Sequence, residues 1–200
     1  MNHPLQCRCG TLKGYVGEPE KVNRCVCYCR DCQAFAHFLG RANEILDSKG
    51  GTDIFQTTSS RLTLTAGAEM LACMRLTENG LMRWYARCCN TPIGNTLANM
   101  QMSFVGLTHN CLENGGKSLD DSFGPVRMLV NTKSAKEEVR SNSMAAIGGM
   151  MRIMGMLLRA RVNGSYKRTV FFSPHTRAPV ATPKVLSRDE RETLMQAVSH

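Results

Sequence analysis

Up to residue 112 the chain alternates short apolar runs with turn signals. Candidate strands lie at 8–16, 22–29, 53–57, 61–65, 70–76, 81–87 and 102–107. Gly10, Gly14, Gly50 with Gly51, Gly67 and the pair Asn79–Gly80 separate them. Asn79–Gly80, between MLACMRL and LMRWYA, is the strongest hairpin signal. One short helix is expected over 31–39. Short strands at this spacing predict a mainly β fold, a sandwich or barrel rather than βαβ units.

The pattern changes after residue 116. Ser134 with Glu137 three residues later has the form of a capping box and predicts a helix from about Ala135. It would run into SMAAIGGMMRIMGMLLRARV, where residues 144–158 hold five methionines and one charge, Arg152. That apolar run is shorter than the ~20 residues a membrane span requires. Arg159 and Arg161 suit a last helical turn, and Gly164 suits its stop. A short strand is expected at 169–172. Ser187 with Glu190 predicts a second capped helix reaching about Val198.

Composition sharpens this division. The chain has 200 residues, 42% of them hydrophobic, and a net charge of +9. That excludes an acidic disordered chain, a collagen and a transmembrane bundle. All ten cysteines lie between Cys7 and Cys111. Residues 1–116 hold 11 basic and 9 acidic side chains, and residues 117–200 hold 14 and 7. The expected organisation is a cysteine-rich domain over 1–115 and a basic, partly helical extension over 116–200 packing on it.

MNHPLQCRCG has no apolar stretch after a basic start, so a cytoplasmic, reducing setting is expected. There thiols favour metal over disulfides. Cysteines two apart in a strand also sit near the limit of disulfide geometry. Three clusters stand out: Cys7 with Cys9; Cys25, Cys27, Cys29 and Cys32; and Cys88 with Cys89. Strand residues two apart share a face, so each C-x-C pair can reach one ion. Structural zinc takes four ligands, and catalytic zinc takes three with one position open. Two zinc ions per chain would use seven cysteines.

The order C-x-C-G, then C-x-C-x-x-C, then a late cysteine before Thr-Pro resembles the glutathione-dependent formaldehyde-activating enzyme family, which also includes centromere protein V. The matching stretches are CRCG at 7–10, CYCRDCQ at 27–33 and CCNTPIG at 88–94, within residues 5–112. The resemblance implies an Mss4-like β-tent with two zinc sites. Cys7, Cys9 and Cys89 fall on structural ligands; Cys27, Cys29 and Cys32 fall on catalytic ones. The family's late pair is C-x-x-C, and Ala86 occupies its first position here. The fourth structural ligand would therefore be Cys88, if the backbone turns there, or else Cys73, Cys111 or Cys25.

The implied activity is that of a carbon–sulfur lyase: reversible addition of a thiol such as glutathione to a small aldehyde such as formaldehyde. Arg30, Arg41 and Lys49 are candidates to steer glutathione carboxylates. Cys25 shares the strand face of Cys27 and could close the site into a purely structural one. The alternative is a non-catalytic, zinc-stabilised binding module whose basic helical arm docks on a membrane surface or a protein partner. His37 could reach the metal, His109 could pair with Cys111, and Asp31 could orient thiolates or, the favoured reading, cap the short helix. Trp84, Tyr85, Phe35 and Phe38 read as core or rim residues. For the methionine-rich helix, packing on the β domain, a homodimer surface and a membrane or other anionic surface all remain open. The basic residues are dispersed without a base-reading motif, which argues against nucleic acid.

Overall fold

The structure is a computed structural model that describes residues 2–113 and 116–198. In chain order the elements are β1 (Asn2–Gln6), β2 (Lys13–Gly17), β3 (Asn23–Cys27), α1 (Arg30–Phe38), α2 (Ala42–Ile45), β4 (Thr52–Thr58), β5 (Leu62–Ala66), β6 (Leu71–Arg75), β7 (Met82–Ala86), β8 (Thr91–Thr96), β9 (Phe104–Thr108), α3 (Asn110–Glu113), α4 (Leu119–Phe123), β10 (Met128–Val130), α5 (Ser143–Val162), β11 (Lys184–Val185) and α6 (Arg188–Val198). The fold is mainly β. A three-stranded sheet runs β1-β2-β5, and an eight-stranded sheet runs β10-β3-β4-β9-β8-β7-β6-β11. The central strands pair antiparallel. Among the described residues only the edge strands β10 and β11 join in parallel, to β3 and β6. Both edges come from beyond residue 116, so the basic segment completes the large sheet.

The large sheet is buried on both faces. One face holds the main core, where Leu5, Val16, Phe55, Trp84, Ile93 and Leu107 meet Phe123 and Phe171. The other face carries helices. There α1 and α6 enclose Phe35, Leu39, Met74 and Leu76. Beside them Cys25, Cys27, Cys32, Ile54 and Met128 pack with Ile153 of α5. Cross-strand register sets one row on this helix-covered face: Asn23, Gln56, Gly106, Asn95, Arg83 and Met74. Since side chains alternate along a strand, Cys25 and Cys27 lie on the same face as Arg83.

Several sequence expectations change. The strand expected at 8–16 is split. Residues 7–12 form a turn in which Gly10 takes φ +75° and donates its N–H to the Cys7 carbonyl at 2.9 Å. The hairpin at Asn79–Gly80 exists, but its turn closes from Thr77 to Gly80 at 3.0 Å, with no positive φ at either residue of the pair. The box at Ser134 and Glu137 caps nothing: residues 132–134 form one 3-10 turn, and Glu137 faces Lys49. The long helix starts at Ser143, where the Asn142 side chain accepts the N–H groups of Met144 and Ala145. Residues 169–172 form no strand and contribute one isolated bridge, Phe172 to Pro179. The second capping box is present in both directions: Ser187 N–H reaches Glu190 at 2.8 Å, and Glu190 N–H reaches Ser187 at 3.2 Å.

Candidate metal centres

Two groups of cysteines converge. Cys7, Cys9, Cys88 and Cys89 form one group, and Cys27, Cys29 and Cys32 the other; within each, the sulfurs all lie within 4.8 Å of one another. All ten cysteines are unpaired thiols.

The four-cysteine group is built from two turns. Cys7 and Cys9 lie on the turn between β1 and β2, and not on a strand face as the C-x-C spacing predicts. Cys88 and Cys89 lie on the turn between β7 and β8, where Asn90 takes φ +51°. That reversal lets adjacent cysteines face one point, which a continuing strand forbids. The sulfur separations are 3.5 Å for Cys7–Cys9, 3.8 Å for Cys7–Cys88, 3.3 Å for Cys9–Cys88 and 3.8 Å for Cys88–Cys89. Ligands 2.3 Å from a tetrahedral zinc stand about 3.8 Å apart, so the donor set fits such an ion. Hydrogen bonds tune the sulfurs. Leu12 N–H points at Cys7 Sγ at 3.3 Å, and the Thr11 and Thr91 hydroxyls lie 3.2 and 3.1 Å from Cys9 and Cys89. The contact with Thr11 lowers the Cys9 thiol to about 6. Arg8, Arg41 and Arg87 line the adjoining cavity of ≈450 Å³. They face a group whose four thiolates on a divalent ion carry a net charge of about −2.

The three-cysteine group joins β3 to α1. Cys27 ends β3, Cys29 is the N-cap of α1, and Cys32 lies in its first turn. Cys29 caps the helix by accepting the Cys32 N–H at 3.4 Å. Asp31, the expected cap, instead faces Arg83 at 3.8 Å. Placement at a helix N-terminus favours thiolate sulfur, because unsatisfied N–H groups point toward it. Cys32 and Cys27 sulfurs are 4.0 Å apart. The Asn131 amide donates to Cys27 Sγ at 3.4 Å, and Arg83 donates to Cys32 Sγ at 3.8 Å. Hydrogen bonds with Cys27 and Cys29, together with the Arg83 charge, hold the Cys32 thiol well below its ordinary value. Cys29, hydrogen-bonded to both neighbours, moves the opposite way. These contacts favour the anionic form of the Cys32 sulfur, which Arg83 faces. Thr52, opposite Cys27 in the register, keeps a buried hydroxyl without a hydrogen-bond partner.

The remaining candidates lie elsewhere. Cys25 is fully buried on β3 and outside the three-cysteine group. Cys73 and Cys111 are pushed up to about 12 by burial, and their sulfurs point at backbone carbonyls. His109 and His37 belong to neither group. Arg41 bonds the Cys89 carbonyl at 3.2 Å, and so serves the four-cysteine group rather than the three-cysteine one. Lys49 faces Glu137, and Arg30 reaches the Met195 carbonyl at 3.3 Å. Trp84 is core, Phe35 is buried beneath Arg83, and Phe38 and Tyr85 meet edge to face at 5.9 Å. Sequence reasoning missed Arg83 and Asn131. The only signal for Arg83 was a charge inside an otherwise apolar strand pattern, MRWYA.

Residues 1–174 match a family of unknown function, DUF6151. The chain belongs to that family. The match takes in both cysteine groups, β10 and all of α5, and ends before β11 and α6. No curated protein matches the chain. Among the described residues, no helix is long and apolar enough to cross a membrane.

Proposed function

We propose that this DUF6151 chain is a two-zinc protein whose three-cysteine centre acts as a carbon–sulfur lyase on a thiol–aldehyde adduct. The carrying observation is that Cys27, Cys29 and Cys32 converge while Cys25, buried on the same strand face, stays outside the group. Cys27, Cys29 and Cys32 would hold a zinc ion with three thiolates, one fewer than a closed structural site takes. Such an ion would supply Lewis acidity toward a carbonyl oxygen or stabilise a thiolate. In the addition the thiol sulfur bonds to the aldehyde carbon, the C=O π pair moves to oxygen, and the thiol proton ends there. The reverse breaks the same carbon–sulfur bond.

The chain's own residues prepare this centre. Arg83 offsets the net negative charge of three thiolates, Asn131 orients Cys27, and the α1 N-terminus fixes Cys29. The four-cysteine group ties the β1–β2 turn to the β7–β8 turn and serves stability. Clamped sheets of this kind support the Mss4-like β-tent reading and, with the cysteine order, the resemblance to glutathione-dependent formaldehyde-activating enzymes. Glutathione and formaldehyde are the first substrates to test, and the free thiols suit a reducing compartment such as the cytoplasm.

The burial of Cys27 and Cys32 favours a second reading, a zinc-stabilised module without catalysis. The test is exchange of glutathione with formaldehyde, followed by NMR on the zinc-loaded chain beside metal analysis. The lyase reading expects exchange above the uncatalysed rate, abolished in Cys29→Ser while one zinc remains. No exchange with any small thiol or aldehyde, with four sulfurs on each of two ions, would establish the module.

A further inference from the structure

A cavity of ≈420 Å³ opens where the end of α5 meets β2, β5 and the turn at Ser59–Arg61, and among the described residues no cysteine lines it. It lies at the far end of β4 from the three-cysteine group. Thr58 lines it, Thr52 faces Cys27, and the six strand residues between them span about 20 Å. Four cations, Lys21, Arg61, Arg159 and Arg168, stand around the cavity with one carboxylate, Glu18.

The imbalance begins in the sequence. Residues 139–188 hold nine basic side chains and no acidic one. The arginines of α5 and of the segment after it therefore find a carboxylate only where the fold supplies one. At this cavity it supplies Glu18, which already accepts from Lys21 and, at 3.0 Å, from Arg61. Arg61 is held further by the Thr57 hydroxyl at 3.1 Å. Among the described residues, Arg159 and Arg168 form no ion pair. Gly164, at φ +73°, ends α5 and turns the chain through Ser165–Lys167. The Ser59 hydroxyl donates to the Arg168 carbonyl at 3.5 Å, which ties that turn to the one at Ser59–Arg61. Arg168 thus reaches from the turn the cavity that Arg159 reaches from the helix. Gathered cations repel one another unless an anion joins them. Arg152, close enough to Arg61 to feel its charge, has its pKa lowered by burial first and then by Arg127 and Arg61.

The wall says which anion fits. A guanidinium meets a phosphate through two parallel N–H bonds, and a phosphate monoester carries about −1.5 to −2 at neutral pH. The two arginines outside the Glu18 pairing match one such group. The volume falls within the ~300–1,000 Å³ of small-molecule sites, so a body beyond the phosphate has room. Tyr15, Ser60, Thr63 and Ser165 bring hydroxyls to the wall, whereas Met156 and Ala160 are its apolar members. Such a wall suits a hydroxylated body and offers a nucleobase or an acyl chain little apolar surface. We propose that this cavity binds a small sugar phosphate, with Arg159 and Arg168 on the phosphate. The inference is independent of the chemistry at the cysteines.

The test is isothermal titration calorimetry of the zinc-loaded full chain with glucose-6-phosphate, ribose-5-phosphate, inorganic phosphate and glucose. Flotation on phosphatidic acid–phosphatidylcholine vesicles runs beside it, because a lipid headgroup is the other source of a phosphate monoester. A sugar phosphate is expected to bind once per chain and more tightly than inorganic phosphate, with no binding of glucose. Arg159→Gln and Arg168→Gln should each raise the dissociation constant by about 10–100-fold. Both side chains belong to exposed residues, so an unchanged melting temperature should accompany the loss. Arg161→Gln is the control: it shares the last turn of α5, stacks on Tyr166 at 4.9 Å and does not line the cavity, so its dissociation constant should match the wild type. Binding of neither sugar phosphate, binding to the vesicles alone, or inorganic phosphate binding as tightly as the sugar phosphates would each overturn the proposal. So would equal weakening in Arg161→Gln, which would reduce the effect to general surface charge.

Discussion

The guanidinium of Arg83 stands 3.8 Å from Sγ of Cys32, and the two residues are 2% and 7% exposed. A buried guanidinium cannot shed its charge and is costly unless compensated. Asn95 accepts from it at 3.3 Å, Phe35 lies under it at 5.5 Å, and Asp31 faces it at 3.8 Å from a half-exposed position. The anionic sulfur cluster completes the compensation. Arg83→Met should therefore weaken metal binding at the three-cysteine group by about 10–100-fold. Binding at the four-cysteine group should hardly change. Competition titration against a calibrated chelator reads both sites, and equal loss at both would assign Arg83 a general structural role instead.

The sulfurs of the four-cysteine group predict a stoichiometry. Cys88→Ser should reduce bound zinc from two ions to one and lower the melting temperature, because the clamp between the β1–β2 and β7–β8 turns is lost. Cys73→Ala and Cys111→Ala should keep two ions, since both sulfurs point at carbonyls inside the core. Their cost is the cavity alone, about 1 kcal/mol each. Elemental analysis of the purified variants checks the counts.

The legible parts of this chain were those governed by local chemistry. Short apolar runs bracketed by turn residues located most central strands, because the breaks at Gly50–Gly51, Gly67 and Asn79–Gly80 fall in the connections between them. The box at Ser187 and Glu190 found α6 because both side chains close on adjacent backbone N–H groups. The same motif at Ser134 misled, since Glu137 pairs with Lys49 and the next available cap is Asn142. β8 escaped notice because its TPIGNT carries Pro92 and Gly94, which read as a turn after Cys89. β10 and β11 have three and two residues and exist only through their neighbours. The cysteine spacing grouped Cys27, Cys29 and Cys32, but Arg83 and Asn131 reach them through sheet register and a distant turn.

His3 predicts a pH dependence. Its ring is fully buried, with Nδ1 2.8 Å from Ser122 Oγ and Nε2 3.0 Å from the Leu112 carbonyl. Burial lowers its pKa; the Leu112 bond opposes that, and the Lys117 charge adds to it. The unfolded chain therefore binds a proton near pH 6.5 that the folded chain refuses. Stability falls as pH drops below about 6.5, by at most ~1.4 kcal/mol per unit, and the fall from this group ends below the folded pKa. His3→Gln should lose this contribution. Denaturant unfolding of both proteins between neutral and mildly acidic pH should show the difference between them shrinking as pH falls. A difference independent of pH would place the acid sensitivity elsewhere, with the thiolates first in line.

Cys25 separates an open centre from a closed one. It faces the same way as Cys27 from two residues earlier, and burial keeps its thiol protonated at neutral pH. Its surroundings are Ile54 and Met128, across the register on either side. Cys25→Ala removes only a small apolar-packed atom, at a cost of about 1 kcal/mol. Two zinc ions should remain, and X-ray absorption should give an average of three and a half sulfurs per ion both before and after the substitution. The rate of thiol–aldehyde exchange should be unchanged. If the wild type instead averages four sulfurs and the variant fewer, Cys25 swings in to complete the tetrahedron, and the fourth position is closed to substrate.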